Sequence, residues 1–344
     1  MLGEKIAFDL GTSSILALVE GKGIKIDEPS VIAYDTFTEK IKAIGKNAYE
    51  MLGKSPDSVT VIQPIKDGNI YNYDALEQIL CYYIQKICGN QIFKPSVLAC
   101  VPSGVSELDR KTVLDLVIAS GAARACVIEE PLAAALGAGV SIKEPKGTMI
   151  VDIGAGTTDI AIISRGCIAL SDSIKIAGNA FDEDICRYAK RERDVVIGNI
   201  TAQTIKNQIG AAKFLEAELA LRAVGKDYIT NLPKSIEISS TDIFLCIREN
   251  LNRIVEAIRR ILEKSPPQLN ADIGENGIII TGGGALIRGI DEYFRDKIRV
   301  PVKCAENPMH CVVNGMGELL KDMKLLDEYG YVFKANIDIT ENED

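Results

Sequence analysis

A repeated strand–turn–strand pattern constrains the fold of this chain more than any other feature. Residues 6–19 (IAFDLGTSSILALV) predict two apolar strands joined by a small polar turn, and residues 149–163 (MIVDIGAGTTDIAII) repeat that pattern about 140 positions later. A second pair of segments, 97–104 and 278–284, supports the repeat, because each runs from an apolar strand into a turn of small residues. The pattern therefore predicts an α/β protein built from two matching halves with a cleft between them.

Composition narrows the classes of protein that this chain can be. Its 344 residues predict about two domains at ~150 residues each. The 39 Lys and Arg against 48 Asp and Glu give a net charge of −9, which argues against a nucleic-acid-binding surface. No apolar run reaches the ~18 residues that a membrane span requires and no signal peptide is recognisable, so a cytoplasmic location is expected. The nine cysteines form no C-x-x-C pair and are predicted to be reduced, buried thiols.

A single histidine limits the catalytic chemistry. His310 lies in the sequence NPMHC and is expected to be a structural residue at a loop or helix start, not half of a catalytic dyad. The usual serine-hydrolase and zinc-peptidase mechanisms are therefore disfavoured.

Helix signals place several further elements. Ser106 with Asp109 three residues later predicts a capped helix start. Pro131 fits the first turn of another helix, in which Glu130 would occupy the cap position. Apolar residues at three- and four-residue steps over 244–262 predict a long helix with one core-facing side.

The two acidic turns suggest a site for phosphate and metal. Turns rich in Gly, Thr and Ser offer backbone N–H groups that converge on phosphate oxygens. Asp9 and Asp152 would repel a phosphate directly, so their predicted role is to hold a hydrated Mg²⁺ that bridges the phosphates. Such sequences also form ordinary hairpin turns, but two copies in register favour a phosphate clamp.

Two further features are open to more than one interpretation. The run Gly282-Gly283-Gly284 would let the backbone approach a flat ligand, although glycine runs also occur in plain loops. No P-loop sequence is present and no G-x-G-x-x-G opens a helix after the first strand, which disfavours both of those nucleotide folds. Glu130 is either a carboxylate stabilised by a helix N-terminus or the group that orients or deprotonates the water attacking a γ-phosphate.

Eight short motifs run along nearly the whole chain. They are DLGT (9–12), EPSVIA (28–33), DG (67–68), IEEP (128–131), VDIG (151–154), IAG (176–178), Lys206 with IG (209–210), and TGGG (281–284). Together they resemble the actin superfamily, and within it the bacterial rod-shape actins of the MreB and Mbl family. The resemblance implies a duplicated actin-like ATPase fold of class α/β, with two large domains, each carrying a smaller inserted subdomain, around a nucleotide cleft.

The same resemblance implies domain boundaries, ligands and site residues. Subdomain IA would comprise residues 1–33, 65–145 and 317–344, IB 34–64, IIA 146–179 and 241–316, and IIB 180–240. ATP and Mg²⁺ would occupy the cleft, with Asp9 and Asp152 at the metal through water, and with Glu130, Asp152 and Thr157 as the catalytic group. The residues expected to contact the nucleotide are Gly11, Thr12, Ser13, Ser14, Gly154, Ala155, Gly156, Thr157, Gly178, Lys206, Gln208, Gly282, Gly283, Gly284 and Ala285.

The implied function is that of an ATP-hydrolysing bacterial actin. Head-to-tail filaments of the chain itself would lie at the inner face of the cytoplasmic membrane and maintain cell shape by organising cell-wall synthesis. Membrane proteins of the wall-synthesis machinery would be partners, and nucleic acid would not. A plasmid-segregation actin or a small-molecule kinase on the same fold stays open as an alternative, although no acceptor-activating base is evident outside the phosphate turns.

The loop of residues 90–95 (NQIFKP) predicts a membrane contact. It places Ile92 and Phe93 beside Lys94, between an expected helix and an expected strand. Members of the family without an N-terminal amphipathic helix carry a similar hydrophobic loop, so the resemblance points to Ile92 and Phe93 as residues that insert into the bilayer. The alternative is that both side chains pack into the core.

Overall fold

The computed structural model describes residues 3–89 and 93–335, and the chain divides into two compact units. Unit 1 is formed by the described residues up to Pro145, by Ile163–Ile168 and by those from His310 onward. Unit 2 is formed by Lys146–Ile162 and Ala169–Met309. The four subdomain boundaries proposed from the sequence stay a prediction.

Nineteen strands and eleven α-helices are formed within the described residues. The strands are β1 (Lys5–Leu10), β2 (Ser14–Val19), β3 (Gly23–Pro29), β4 (Ile32–Asp35), β5 (Ile41–Ile44), β6 (Val59–Ile62), β7 (Ile65–Lys66), β8 (Asn69–Ile70), β9 (Ser96–Val101), β10 (Arg124–Glu129), β11 (Thr148–Ile153), β12 (Thr158–Ser164), β13 (Cys167–Ile174), β14 (Val195–Val196), β15 (Ala220–Asp227), β16 (Pro233–Ser239), β17 (Ile278–Thr281), β18 (Val302–Cys304) and β19 (Lys334–Ala335). The helices are α1 (Lys46–Tyr49), α2 (Tyr73–Cys88), α3 (Glu107–Ala119), α4 (Glu130–Gly137), α5 (Gly178–Arg193), α6 (Asn199–Ile209), α7 (Ser240–Lys264), α8 (Pro267–Asn276), α9 (Ile290–Ile298), α10 (Cys311–Lys321) and α11 (Met323–Glu328).

The two largest sheets share one strand order. The first runs β3-β2-β1-β9-β10-β19 and the second β13-β12-β11-β17-β18. In each sheet the strand that carries the acidic motif, β1 or β11, pairs in parallel with the strand beside it, β9 or β17. The duplication predicted from the sequence is confirmed by this shared order. Two three-stranded sheets, β5-β4-β6 and β14-β15-β16, lie in or next to the segments predicted to be insertions.

Local sequence explains where the main helices begin. Ser106 caps α3, because its hydroxyl accepts from the backbone N–H of Asp109 and the Asp109 carboxylate accepts from the Ser106 N–H. This confirms the predicted capping box. Ser239 and Asp242 cap α7 in the same way, and the predicted apolar stripe of α7 is buried in the core of unit 2.

Close packing against α10 fixes the position of α4 in unit 1. A Cβ atom on Gly137 would lie 1.8 Å from the carbonyl oxygen of Cys311, and one on Gly315 would lie 1.8 Å from that of Ala133. Only glycine allows the two helix backbones to approach this closely. The start of α4, where Glu130 lies, is therefore held by backbone packing along the helix.

The nine cysteines are all free, but they are not all buried. Cys100, Cys126 and Cys311 are buried, whereas Cys81 and Cys167 are exposed. The prediction of uniformly buried thiols is wrong for these two, because Cys81 lies on the outer side of α2 and Cys167 begins β13, whose residues alternate between exposed and partly buried. Among residues 3–89 and 93–335, no helix is long and apolar enough to cross a membrane.

Candidate phosphate and metal site

Asp9 lies at the end of β1 and not in the turn that follows. The sequence predicted Asp9 in an acidic turn, which is wrong because pairing with β2 continues to Leu10 opposite Ile15. The turn is closed by the N–H of Gly11, which donates to the Ser14 carbonyl at 3.0 Å. A Cβ atom on Gly11 would lie 2.8 Å from that carbonyl oxygen, so the tight turn requires glycine.

Three side chains meet beside the end of β1. Asp9, Cys100 and Glu130 each offer one ligand atom, and these atoms all lie within 4.8 Å of one another. The Cys100 thiol donates to Asp9 Oδ1 at 3.5 Å. Burial raises the pKa of Asp9 to about 6, although Cys100 and His310 oppose the shift.

The chemistry of this cluster fits Mg²⁺. Burial and the negative charges of Asp9 and Glu130 raise the pKa of Cys100 well above its usual value, so the thiol stays protonated and acts as a donor. The Asp9 carboxylate offers hard oxygen ligands, which Mg²⁺ prefers, and the Glu130 carboxylate beside it could accept a hydrogen bond from a water molecule held by the cation. A divalent cation would offset the cost of placing two acidic groups together in a partly buried site.

Glu130 is the first residue of α4 and not its cap. The cap position belongs to Glu129, whose side chain makes no capping hydrogen bond, and Pro131 lies in the first helical turn as predicted. The assignment of Glu130 as the cap is therefore wrong by one residue, because β10 continues through Glu129. The proximity of Glu130 to Asp9 favours the water-orienting interpretation over simple capping.

Glu129 is held by two partners that the sequence did not reveal. The Arg110 guanidinium donates to the Glu129 carboxylate and also to the Val127 carbonyl, the latter at 3.1 Å. The Tyr331 hydroxyl donates to the other carboxylate oxygen of Glu129. Burial, followed by the charge of Glu129, raises the pKa of Tyr331. No local motif could have identified Tyr331, which lies about 200 positions further along the chain.

Unit 2 repeats the acidic turn. Asp152 again lies at the end of its strand, β11, and not in the turn where the sequence placed it. The N–H of Gly154 donates to the Thr157 carbonyl at 2.9 Å, which is the same closure as in unit 1. Asp152 is buried, and the equally buried Thr281 hydroxyl donates to its Oδ1 at 2.8 Å.

Thr281 and Cys100 occupy equivalent positions in the two large sheets. Asp152 is paired with Thr281 in the parallel register of β11 and β17. In unit 1 the register of β1 and β9 ends at Phe8 opposite Ala99, and Asp9 and Cys100 follow as the next residues. Each acidic side chain thus accepts from a donor on the neighbouring parallel strand. Superposing the two sequence repeats aligns Cys100 with Thr281, which is the signal that identifies this pair of donors.

The glycine run begins beside Asp152. Gly282 has a φ of 76°, and a Cβ atom there would lie 2.7 Å from Asp152 Oδ1 and 2.4 Å from the Ile153 carbonyl oxygen. Only glycine fits this position. Gly283 begins a short 3-10 helix that also contains Gly284 and Ala285.

The second turn also contacts the start of α5. The N–H of Gly178 donates to the Gly154 carbonyl at 3.1 Å. Lys206 donates to the Gly178 carbonyl at 2.8 Å and pairs with Asp182 at 2.9 Å in a largely buried position. Burial lowers the pKa of Lys206 and raises that of Asp182, and each partner opposes the shift of the other. The sequence analysis missed Asp182.

The remaining predicted residues have varied surroundings. Ser13 and Gln208 are exposed, while Gly156 is buried. The Thr12 hydroxyl accepts from the N–H of Gly68 at 3.1 Å. Phe93 is 56% exposed, and Ile92 lies outside the described residues.

Known proteins resemble this chain over nearly its whole length. A family model described as MreB/Mbl protein matches residues 3–328. The cell shape-determining protein Mbl of Bacillus cereus is 42% identical over 327 residues, which are 95% of this chain and 98% of that protein. The cell shape-determining protein MreB of Escherichia coli K12 is 37% identical, with 96% of each chain covered. The crystal structure of MreB 5 of Spiroplasma citri bound to AMPPNP has a TM-score of 0.91 and 40% identity, covering 96% of this chain and 99% of that one. The predicted actin-like fold is confirmed by this likeness.

Proposed function

The chain belongs to the MreB/Mbl protein family, and from this membership we propose that it is an ATP-binding and hydrolysing bacterial actin. Its filaments would lie at the inner face of the cytoplasmic membrane and maintain cell shape by organising cell-wall synthesis. Relatives named as cell shape-determining proteins, each matched over nearly their whole length, support this role.

One observation carries the ATPase proposal: the same turn, closed by the same hydrogen bond, follows an aspartate-bearing strand end in each unit. We assign the N–H groups of both turns to the phosphates of ATP and Asp9 and Asp152 to a hydrated Mg²⁺. When bound, the cation would neutralise charge that develops on the phosphates. A relative at 40% identity whose structure contains AMPPNP supports adenine-nucleotide binding.

Glu130 is the residue that we assign to the attacking water. It lies at the N-terminus of α4, where a carboxylate is stabilised, and beside Asp9. From this position its carboxylate can accept a proton from the water or hold the water in line with the γ-phosphate. Lys206, tied to Gly178 and Asp182, would orient the second phosphate turn.

Nucleotide titration in the presence and absence of Mg²⁺ tests the metal assignment. Asp9→Ala and Asp152→Ala should each abolish Mg²⁺-dependent ATP binding, whereas Asp57→Ala, which changes an exposed carboxylate, should not. Mg-ATP affinity that is unchanged in both variants would refute the paired-turn assignment.

Filament assembly is the second part of the proposal. Head-to-tail contacts between subunits build a continuous filament when they do not close into a ring. A bound nucleotide would favour one conformation of the subunit and so change the strength of these contacts. Electron microscopy with Mg-ATP should reveal filaments. A coupled assay that measures ATP turnover with candidate phosphate acceptors tests the alternative, a small-molecule kinase. ATP turnover that depends on an acceptor, in the absence of filaments, would establish that alternative.

Membrane association is proposed from the exposed Phe93, together with Ile92. Burying two large apolar side chains in lipid gains roughly 3 to 6 kcal/mol per subunit, which filaments multiply through avidity. Ile92→Ser with Phe93→Ser should therefore release filaments from liposomes and leave ATP hydrolysis intact. Phe37→Ser is the matched control, because Phe37 is 82% exposed on another loop. Flotation of the double variant at wild-type levels would refute the loop assignment.

A further inference from the structure

A cavity of about 190 Å³ in unit 1 combines an apolar floor with a basic rim. Val19 and Ile26 are buried at its base, and Ile87 is partly buried. Three lysines complete the lining, and all three are exposed: Lys22, Lys25 and Lys86.

The charge of this cavity differs from that of the chain as a whole. The chain has a net charge of −9, yet three cations converge on one small depression. Lys22 pairs with Glu4 at 2.6 Å, whereas neither Lys25 nor Lys86 forms an ion pair with any residue in the described ranges 3–89 and 93–335. Like charges placed together repel each other, so a bound anion would stabilise the arrangement.

The cavity lies on the part of unit 1 that also carries Phe93. Lys86 and Ile87 are in the last turn of α2, which ends at Cys88 just before the segment that leads to Phe93. Gly3 packs against the backbone of Phe93 and Lys94, since a Cβ atom on Gly3 would lie 2.2 Å from the Lys94 carbonyl oxygen and 3.0 Å from that of Phe93. Glu4, the next residue, holds Lys22 at the cavity rim.

We propose that this cavity, lined by Lys22, Lys25 and Lys86, binds the headgroup of an anionic phospholipid. The proposal rests on the membrane association proposed above and adds a lipid preference to it. The phosphate would lie among the three ammonium groups, and the aliphatic floor would contact the glycerol carbons. Phe93 would enter the acyl region of the same leaflet, so the apolar anchor and the cationic site would act on one membrane surface.

Flotation of assembled filaments tests the lipid preference. Wild-type filaments should float with vesicles of phosphatidylcholine containing phosphatidylglycerol in preference to pure phosphatidylcholine. Replacing Lys22, Lys25 and Lys86 by glutamine should lower the partition coefficient on the anionic vesicles by on the order of 100-fold, because each lysine near an anionic surface contributes roughly fivefold. The matched control replaces Lys40, Lys54 and Lys143, which are exposed residues of unit 1 outside the cavity.

Lysine labelling of the wild-type chain tests the site without requiring membrane binding. Dihexanoyl phosphatidylglycerol below its critical micelle concentration should protect Lys22, Lys25 and Lys86 from acetylation, as read by mass spectrometry, and should not protect the three control lysines. The phosphatidylcholine equivalent should protect none of them. Equal labelling with and without the anionic lipid would overturn the proposal, and so would equal protection by inorganic phosphate, which would identify a general anion site.

The two experiments separate failure of this site from failure of membrane association. Protection by the anionic lipid without flotation of wild-type filaments would keep the headgroup site and refute membrane association. Flotation of the triple variant at wild-type levels would refute the headgroup site and leave membrane association standing.

Discussion

Glu129 and Glu130 are adjacent carboxylates with different surroundings. Replacing each by glutamine should therefore lower the free energy of unfolding in one case and the rate of ATP hydrolysis in the other. Glutamine keeps the size of the side chain and its capacity to accept a hydrogen bond, but it removes the charge. Glu130→Gln removes the carboxylate that lies beside Asp9. We expect ATP to remain bound and hydrolysis to slow by about 10²-fold or more.

The expected effect of Glu129→Gln is on folding. Glu129 accepts from both Arg110 and Tyr331, and the side chains of Arg110 and Glu129 are only 25% and 20% exposed. Hydrogen bonds to a charged group contribute about 1.5 to 3 kcal/mol, against about 0.5 to 1.5 for neutral pairs. Glutamine has no charge and only one acceptor oxygen, so it cannot accept from both Arg110 and Tyr331 as Glu129 does, and the free energy of unfolding should fall by about 2 kcal/mol.

Chemical denaturation beside a phosphate-release assay distinguishes the two roles. Glu129→Gln should unfold at lower denaturant and hydrolyse ATP within a few-fold of the wild-type rate. Tyr331→Phe should lower stability through the same bond, and the double variant should lose less than the sum of the single changes. If Glu129→Gln instead slowed hydrolysis as strongly as Glu130→Gln at wild-type stability, the division of roles would be wrong.

Three further changes test the second acidic turn and the packing of α4. Thr281→Val should lower Mg²⁺ affinity in the presence of ATP by about 10-fold to 100-fold, because Asp152 loses its orienting donor. Thr281→Ser keeps the hydroxyl donor and should have the wild-type Mg²⁺ affinity in the same titration. Lys206→Met should lower the free energy of unfolding by about 3 kcal/mol or more by leaving Asp182 as an unpaired, largely buried charge, and adding Asp182→Asn should recover part of the loss in denaturation curves. Gly315→Ala should cost about 1 to 3 kcal/mol, read as a lower melting temperature, because the new methyl group meets backbone and not a movable side chain.

Structural features that depend on residues close together in the sequence were predictable. The repeat, the capping box of α3 and the apolar stripe of α7 depend on residues a few positions apart, and the structure confirms all three. Element ends were less predictable, because pairing with neighbouring strands extends β1 to Leu10, β11 to Ile153 and β10 to Glu129. Those extensions move Asp9 and Asp152 out of the turns and Glu130 out of the cap position.

Contacts between distant positions were not predictable from one sequence. Tyr331 contacts Glu129 across about 200 positions, and Asp182 reaches Lys206 only because α5 and α6 pack together. Neither pair has a local pattern that distinguishes it from the other charged residues of the chain. Tertiary packing decides which of many carboxylates becomes a partner.

The duplicated scaffold gives both acidic strand ends the same kind of support, but the donor differs between the two copies. Asp152 accepts from the Thr281 hydroxyl at 2.8 Å, whereas Asp9 accepts from the Cys100 thiol at 3.5 Å. A thiol is the weaker donor, so it compensates the Asp9 charge less, and burial raises the pKa of Asp9 to about 6. Glu130 adds a second carboxylate beside Asp9, because the ligand atoms of the two side chains lie within 4.8 Å of each other. We therefore expect a bound divalent cation to offset the negative charge that Asp9 and Glu130 concentrate beside the end of β1.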